Sequence, residues 1–134
     1  MRDHQYRRGL VLEYLSDEWI QAADAALRAS GLRAPDGERF AVEQQVGEVV
    51  FHMVFDSDGA SVRTGAATDP AVVFYQRRNT AVAIAQGEQS AEEAVLNGEI
   101  TFEGDPMALL SHRRLLTRAE DVFADVRART AWDS

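Results

Sequence analysis

The sequence predicts an α+β fold, a five-stranded and mainly antiparallel sheet covered on one face by helices. Three observations carry this expectation. Apolar residues recur at helical spacing near the start and the end of the chain. They alternate with a period of two between Phe40 and Gln76, and Gly, Asp and Pro mark the boundaries between the two patterns. Strands joined by short connections pair antiparallel, and a sheet with helices gathered on one side buries its apolar face in a two-layer domain.

Residues 1–9 are polar and predict a flexible N-terminus, with a single domain over 10–130. The first helix begins after Ser16, whose side-chain oxygen is suited to accept an orphan N–H of the first turn. Asp17 and Glu18 follow where the helix dipole favours negative charge, and Leu15 and Ile20 occupy the two positions of a hydrophobic staple. Trp19, Ile20, Ala23 and Leu27 form the apolar face, and Gly31 is placed to end the helix. Strands follow over 40–46, 49–55, 60–64 and 71–76, separated by Gly47-Glu48, by the turn Asp56-Ser57-Asp58-Gly59, and by Asp69-Pro70. Their short connections read as a meander. Two short helices come next, one capped by Asn79 or Thr80 and ended by Gly87, the other capped by Ser90 and stopped at Asn97-Gly98. Residues 99–103 alternate as a fifth strand, and Gly104-Asp105-Pro106 opens a long final helix with one apolar face from Met107 to Val126.

Composition narrows the function. A chain of 134 residues suits one domain that buries roughly two-thirds of its unfolded surface. The absence of cysteine excludes disulfides, thiolate catalysis and cysteine-ligated zinc. A net charge of −8 opposes binding to nucleic acid or to anionic membranes. All 14 basic residues are arginine, so there is no lysine for Schiff-base chemistry or a P-loop. No apolar run approaches the ~20 residues of a membrane span, nor the roughly 7–15 of a secretory signal near the start, so a cytoplasmic protein without stable membrane insertion is expected.

His4, His52 and His112 fall in different elements and share no metal-ligand spacing. Asp56 and Asp58 lack the later ligands of a calcium loop. No metal and no cofactor is therefore expected. His52 interrupts an otherwise apolar strand. Alternation groups it with Val50 and Val54, opposite Phe51, Met53 and Phe55, and the larger apolar set is expected to face the helices.

Leu15-Ser16-Asp17-Glu18-Trp19-Ile20 resembles the opening helix of bacterial proteins in the sterol carrier protein type 2 superfamily. The run from Ala94 through Asn97-Gly98-Glu99-Ile100-Thr101-Phe102-Glu103-Gly104-Asp105-Pro106-Met107 to Leu110 is similar to that family's sequence of helix, glycine stop, alternating strand, Gly-Asp pair and Met/Leu-rich helix. The Asp69-Pro70 entry into the fourth strand is also similar, and order and spacing agree over about residues 10–128. Arg77-Arg78-Asn79-Thr80 and Gln89 depart from the pattern by adding polarity, and the chain lacks the lysines of the basic animal members.

The resemblance implies an apolar tunnel between sheet and helices that takes a lipid, sterol, fatty acid or acyl-CoA. The residues it would place along that tunnel are Phe51, Met53, Phe55, Phe74, Ile84, Ile100, Phe102, Leu110, Val122 and Phe123. It carries over no catalytic residue, and a binding protein is expected in preference to an enzyme. A second reading is a small enzyme or accessory protein of the cyclase or isomerase type acting on a hydrophobic natural product, with His52, Glu43 and Tyr75 as its titratable groups. A third is a homodimer formed through the sheet face.

Overall fold

The computed structural model describes residues 11–132. Residues 1–9, expected to form a flexible terminus, and His4 among them lie outside the described residues. The elements in chain order are β1 (Leu12–Glu13), α1 (Asp17–Ala29), β2 (Phe40–Val46), β3 (Val49–Asp56), β4 (Gly59–Thr64), β5 (Val72–Gln76), α2 (Arg78–Ala85), α3 (Ala91–Leu96), β6 (Ile100–Gly104), α4 (Pro106–Ser111), α5 (Arg113–Val122), α6 (Ala124–Ala128) and β7 (Thr130–Ala131).

Helix α1 forms as its sequence dictates. The Ser16 side chain accepts the N–H of Trp19 at 3.1 Å, and Ile20, Ala23 and Leu27 are buried on one face. Gly31 follows its end with φ +79°. The strands also form where the alternation puts them, in a five-stranded sheet of order β4-β3-β2-β5-β6. Strands β2, β3 and β4 make an antiparallel meander, and β6 pairs antiparallel with β5 at the far edge.

Strand β5 departs from the expected meander. It pairs in parallel with β2, setting Val72 beside Val42 and Gln76 beside Val46, so the sheet is mixed at this one ladder. Pairing with β2 gives that strand apolar neighbours on both sides, and Val72 becomes fully buried. The outer edge of β4 is meanwhile occupied by α1, because the Asp24 carboxylate accepts the N–H of Val62 at 2.9 Å. Residues 65–71 carry the chain across the sheet from β4 to β5.

The close approach of β6 to this crossing depends on Gly104. Its φ is +109°, and a Cβ there would sit 2.2 Å from the carbonyl oxygen of Ala71. The N–H of the next residue, Asp105, donates to that oxygen at 3.0 Å.

Two helical expectations are corrected. Helix α2 begins at Arg78 with Arg77 at its cap position and no side-chain cap, whereas Asn79 or Thr80 had the composition of a cap. Thr80 and Ala81 are instead buried in its first turns, because that face meets the rest of the protein. The long final helix is three helices, broken at His112 and Phe123. The His112 ring stacks on Phe40 with centroids 4.2 Å apart, and its Nδ1–H donates to the Ala108 carbonyl at 2.9 Å. That side chain thereby gives the Ala108 carbonyl, which also accepts the His112 backbone N–H at 3.2 Å, a second donor where α4 stops.

The first and last described strands form a parallel pair, β1 with β7, that the sequence pattern did not announce. Leu12 N–H donates to Arg129 O at 2.8 Å and Tyr14 N–H to Ala131 O at 3.0 Å. The Trp19 indole N–H donates to Thr130 Oγ1 at 3.2 Å, fastening the same corner to α1. Among the described residues no helix is long and apolar enough to cross a membrane.

Candidate functional site

Alternation along the strands decides what faces the helices. From β2 the inner side chains are Val42, Gln44 and Val46, and from β3 they are Phe51, Met53 and Phe55. From β5 they are Val72, Phe74 and Gln76. Between this floor and the helices lies a partly open cavity of about 490 Å³. Gln44, Phe51, Met53, Phe74, Gln76 and Ile100 line it from the sheet. Ile84 and Ala85 of α2, Phe123 and Val126 at the last helices, and Trp19 of α1 enclose it from above. A volume of this size suits a small organic molecule, and a mostly apolar wall with a few polar groups is the usual construction of a binding pocket.

Of the residues expected along a tunnel, Phe51, Met53, Phe74, Ile84, Ile100 and Phe123 line this cavity. The other four are placed elsewhere. Phe55 is fully buried and packs near Phe40 in the core, with ring centroids 6.0 Å apart. Val122 packs partly buried against that same core. Phe102 lies on the edge strand, 40% exposed, beside Phe74, and Leu110 is 55% exposed on α4. The last two share a cause. At the sheet edge and on the short α4 no further layer of the described residues covers them, although the local alternation is apolar.

The cavity wall also contains residues that strand alternation and helix faces did not single out as ligand contacts. Tyr14 and Trp132 reach it from the two chain ends. Tyr14 meets the edge of Trp19 at 5.1 Å and lies 4.9 Å from the Trp132 ring, and Trp19 meets Phe51 at 5.7 Å. Tyr14 and Trp132 were the available signal, but nothing local shows that residues so far apart in sequence meet. Gln44 and Gln76 form the polar part of the floor, the Gln76 Nε2–H donating to Gln44 Oε1 at 3.2 Å. Glu120 and Arg127 stand on the helical side, where Arg127 donates to the Glu120 carbonyl oxygen at 3.1 Å and lies 3.7 Å from its carboxylate.

His52 and Glu43 face the opposite side of the sheet, as alternation requires. They are cross-strand neighbours and both are buried. His52 Nδ1–H donates to Gly65 O at 2.8 Å, and the Glu43 carboxylate accepts from Ala67 N–H at 2.9 Å and from Gln45 Nε2 at 2.8 Å. Apart from Gln45, their partners are backbone groups of the crossing segment, which they hold against the outer face. His52 also borders a polar recess of about 350 Å³ with Arg39, Asp56 and Arg63, whose charged lining does not suit an apolar substrate. Tyr75 lies on this outer side too, donating to Glu103 at 2.7 Å. The three titratable groups of the enzymatic reading therefore stand apart from the apolar cavity.

Comparison with known proteins gives one family and one fold. The sequence model of the SCP-2 sterol transfer family matches residues 15–117. No curated protein matches by sequence. Among solved structures, sterol carrier protein 2 superposes with a TM-score of 0.57 at 16% identity, covering 85% of this chain and 97% of that one. A conserved hypothetical protein from Thermus thermophilus gives 0.55 at 18% identity, covering 92% and 94%. The sec-alkylsulfatase Pisa1 from Pseudomonas sp. gives 0.53 at 15% identity over 74% of this chain, which spans 16% of the sulfatase's length. At these identities the structures establish a shared fold.

Proposed function

The chain belongs to the SCP-2 sterol transfer family, and from that premise we propose that it binds a hydrophobic small molecule of the lipid class in the cavity between sheet and helices. The observation that supports this reading is the cavity itself. It has about 490 Å³ of space walled by Phe51, Met53, Phe74, Ile84, Ile100 and Phe123, in a chain large enough to have closed those side chains on one another. Binding follows from transfer of apolar surface out of water at roughly 25 cal/mol per Å², which makes the protein tolerant of chain length and ring system. The net charge of −8 disfavours docking to an anionic bilayer, so the cargo is carried in solution.

Native mass spectrometry of the purified protein incubated with fatty acids, fatty alcohols and sterols tests the proposal. A one-to-one adduct that quenches or shifts the emission of Trp19 and Trp132, both of which line the cavity, is the expected result. Failure to take up any member of the panel refutes it.

A further inference from the structure

We propose that Gln44 and Gln76 form a hydrogen-bonding subsite in the cavity floor that selects a neutral hydroxyl group on an otherwise apolar ligand. The inference rests on the cavity being a binding site and names the chemistry of what it takes.

The two side chains lie on neighbouring strands, on the inner face of the sheet, and both line the cavity. Gln76 donates through Nε2 to Gln44 Oε1 at 3.2 Å. Of the two side-chain polar atoms left over, Gln44 Nε2 and Gln76 Oε1, the second is buried and has no hydrogen-bond partner among the described residues. A buried acceptor left unpaired costs on the order of 1–3 kcal/mol, so a ligand group that donates to it gains what the empty floor forgoes. The donor and acceptor ends of an amide are assigned from its surroundings. Turning both amides over together keeps their mutual bond and presents Gln76 Nε2–H in place of Oε1. A hydroxyl, which both donates and accepts, matches the outward atom of Gln76 in either arrangement, whereas a carboxylate or an ester can meet that atom only in the second.

Charge points the same way. Among the described residues Arg127 is the one cation lining the cavity, and it is already engaged by Glu120. A carboxylate brought to the apolar floor would lose hydration without gaining a free counter-ion.

Titration of the full chain with 1-dodecanol and with 1-methoxydodecane, read by tryptophan emission, tests the subsite. In Gln76→Leu the ratio of dodecanol affinity to methoxydodecane affinity is expected to fall roughly fivefold to tenfold, with methoxydodecane bound at least as well as by the wild type. An unchanged ratio overturns the subsite while leaving the cavity reading intact. If neither probe binds the wild type, the cavity reading fails and the subsite with it. Gln76→Met, which removes the same amide at similar side-chain length, gives a second route to the same ratio should Gln76→Leu fail to fold. A crystal structure of the wild-type dodecanol complex needs no variant. The alcohol oxygen is expected within hydrogen-bond distance of the Gln76 amide, and an oxygen directed to the cavity mouth overturns the proposal.

Discussion

Tyr14 shows how one residue records its surroundings. It lies in the turn between β1 and α1, packed between Trp19 and Trp132, with the Arg78 guanidinium carbon 5.2 Å from its ring centroid. Burial pushes its phenol up to about 12, and the facing Arg78 guanidinium works against that rise. The sign of the consequence is fixed by linkage. In the unfolded chain the phenol ionises near pH 10, while in the folded protein it keeps its proton up to about pH 12. Stability from this group is therefore intact below pH 10 and falls between pH 10 and 12, by on the order of 2 kcal/mol. Denaturant unfolding across that window should show the decline in the wild type and a flatter profile in Tyr14→Phe. Equal slopes in the two proteins would contradict the burial of the phenol.

At the scale of elements, the crossing segment 65–71 decides the sheet order, and the buried polar pair on β2 and β3 holds it. His52 interrupts an apolar strand and is a candidate titratable group only in the second reading, and the structure gives it and Glu43 backbone partners at Gly65 and Ala67. Replacing Glu43 by leucine leaves the Ala67 N–H without its acceptor and should cost about 2–3 kcal/mol. Amide exchange over 65–70 should accelerate, while lipid uptake stays within a factor of two, because the carboxylate faces away from the cavity. Lost uptake in a folded Glu43→Leu protein would return the enzymatic reading to consideration. The final helix makes a related point. Its apolar positions from Met107 to Val126 fit one long helix, but His112 is turned toward Phe40, and the chain bends there to follow the sheet.

For the whole molecule, the deciding quantity is space. The hydrophobic residues suffice for a filled core, and Leu27, Phe55 and Val72 do fill one. The remaining inner side chains stand around a cavity of about 490 Å³, with α2 as part of its wall. Ile84→Trp places a larger ring into that space from α2. We expect at least about a tenfold loss of lipid affinity with stability changed by less than about 1.5 kcal/mol, since the added volume enters a void and not a packed core. Thermal unfolding and a titration on the same sample check both parts, and undiminished affinity would place the ligand elsewhere.

The sequence by itself determined the elements and the faces of the strands. Ser16 and Ser90 cap the helices their spacing marks, Phe40–Val46 and Val49–Asp56 alternate as written, and His52 falls on the side opposite Phe51 and Met53. These follow from interactions within a few residues, whose periods of 3.6 and 2 can be read directly. Tertiary structure alone decided the parallel pairing of β5 with β2, the meeting of Tyr14 with Trp132, and the burial of Gln76 beside Gln44 in the cavity floor. Each depends on partners distant in sequence. Local periodicity states which way a side chain points, and only the packed layers settle whether it meets a neighbour, solvent or an open cavity.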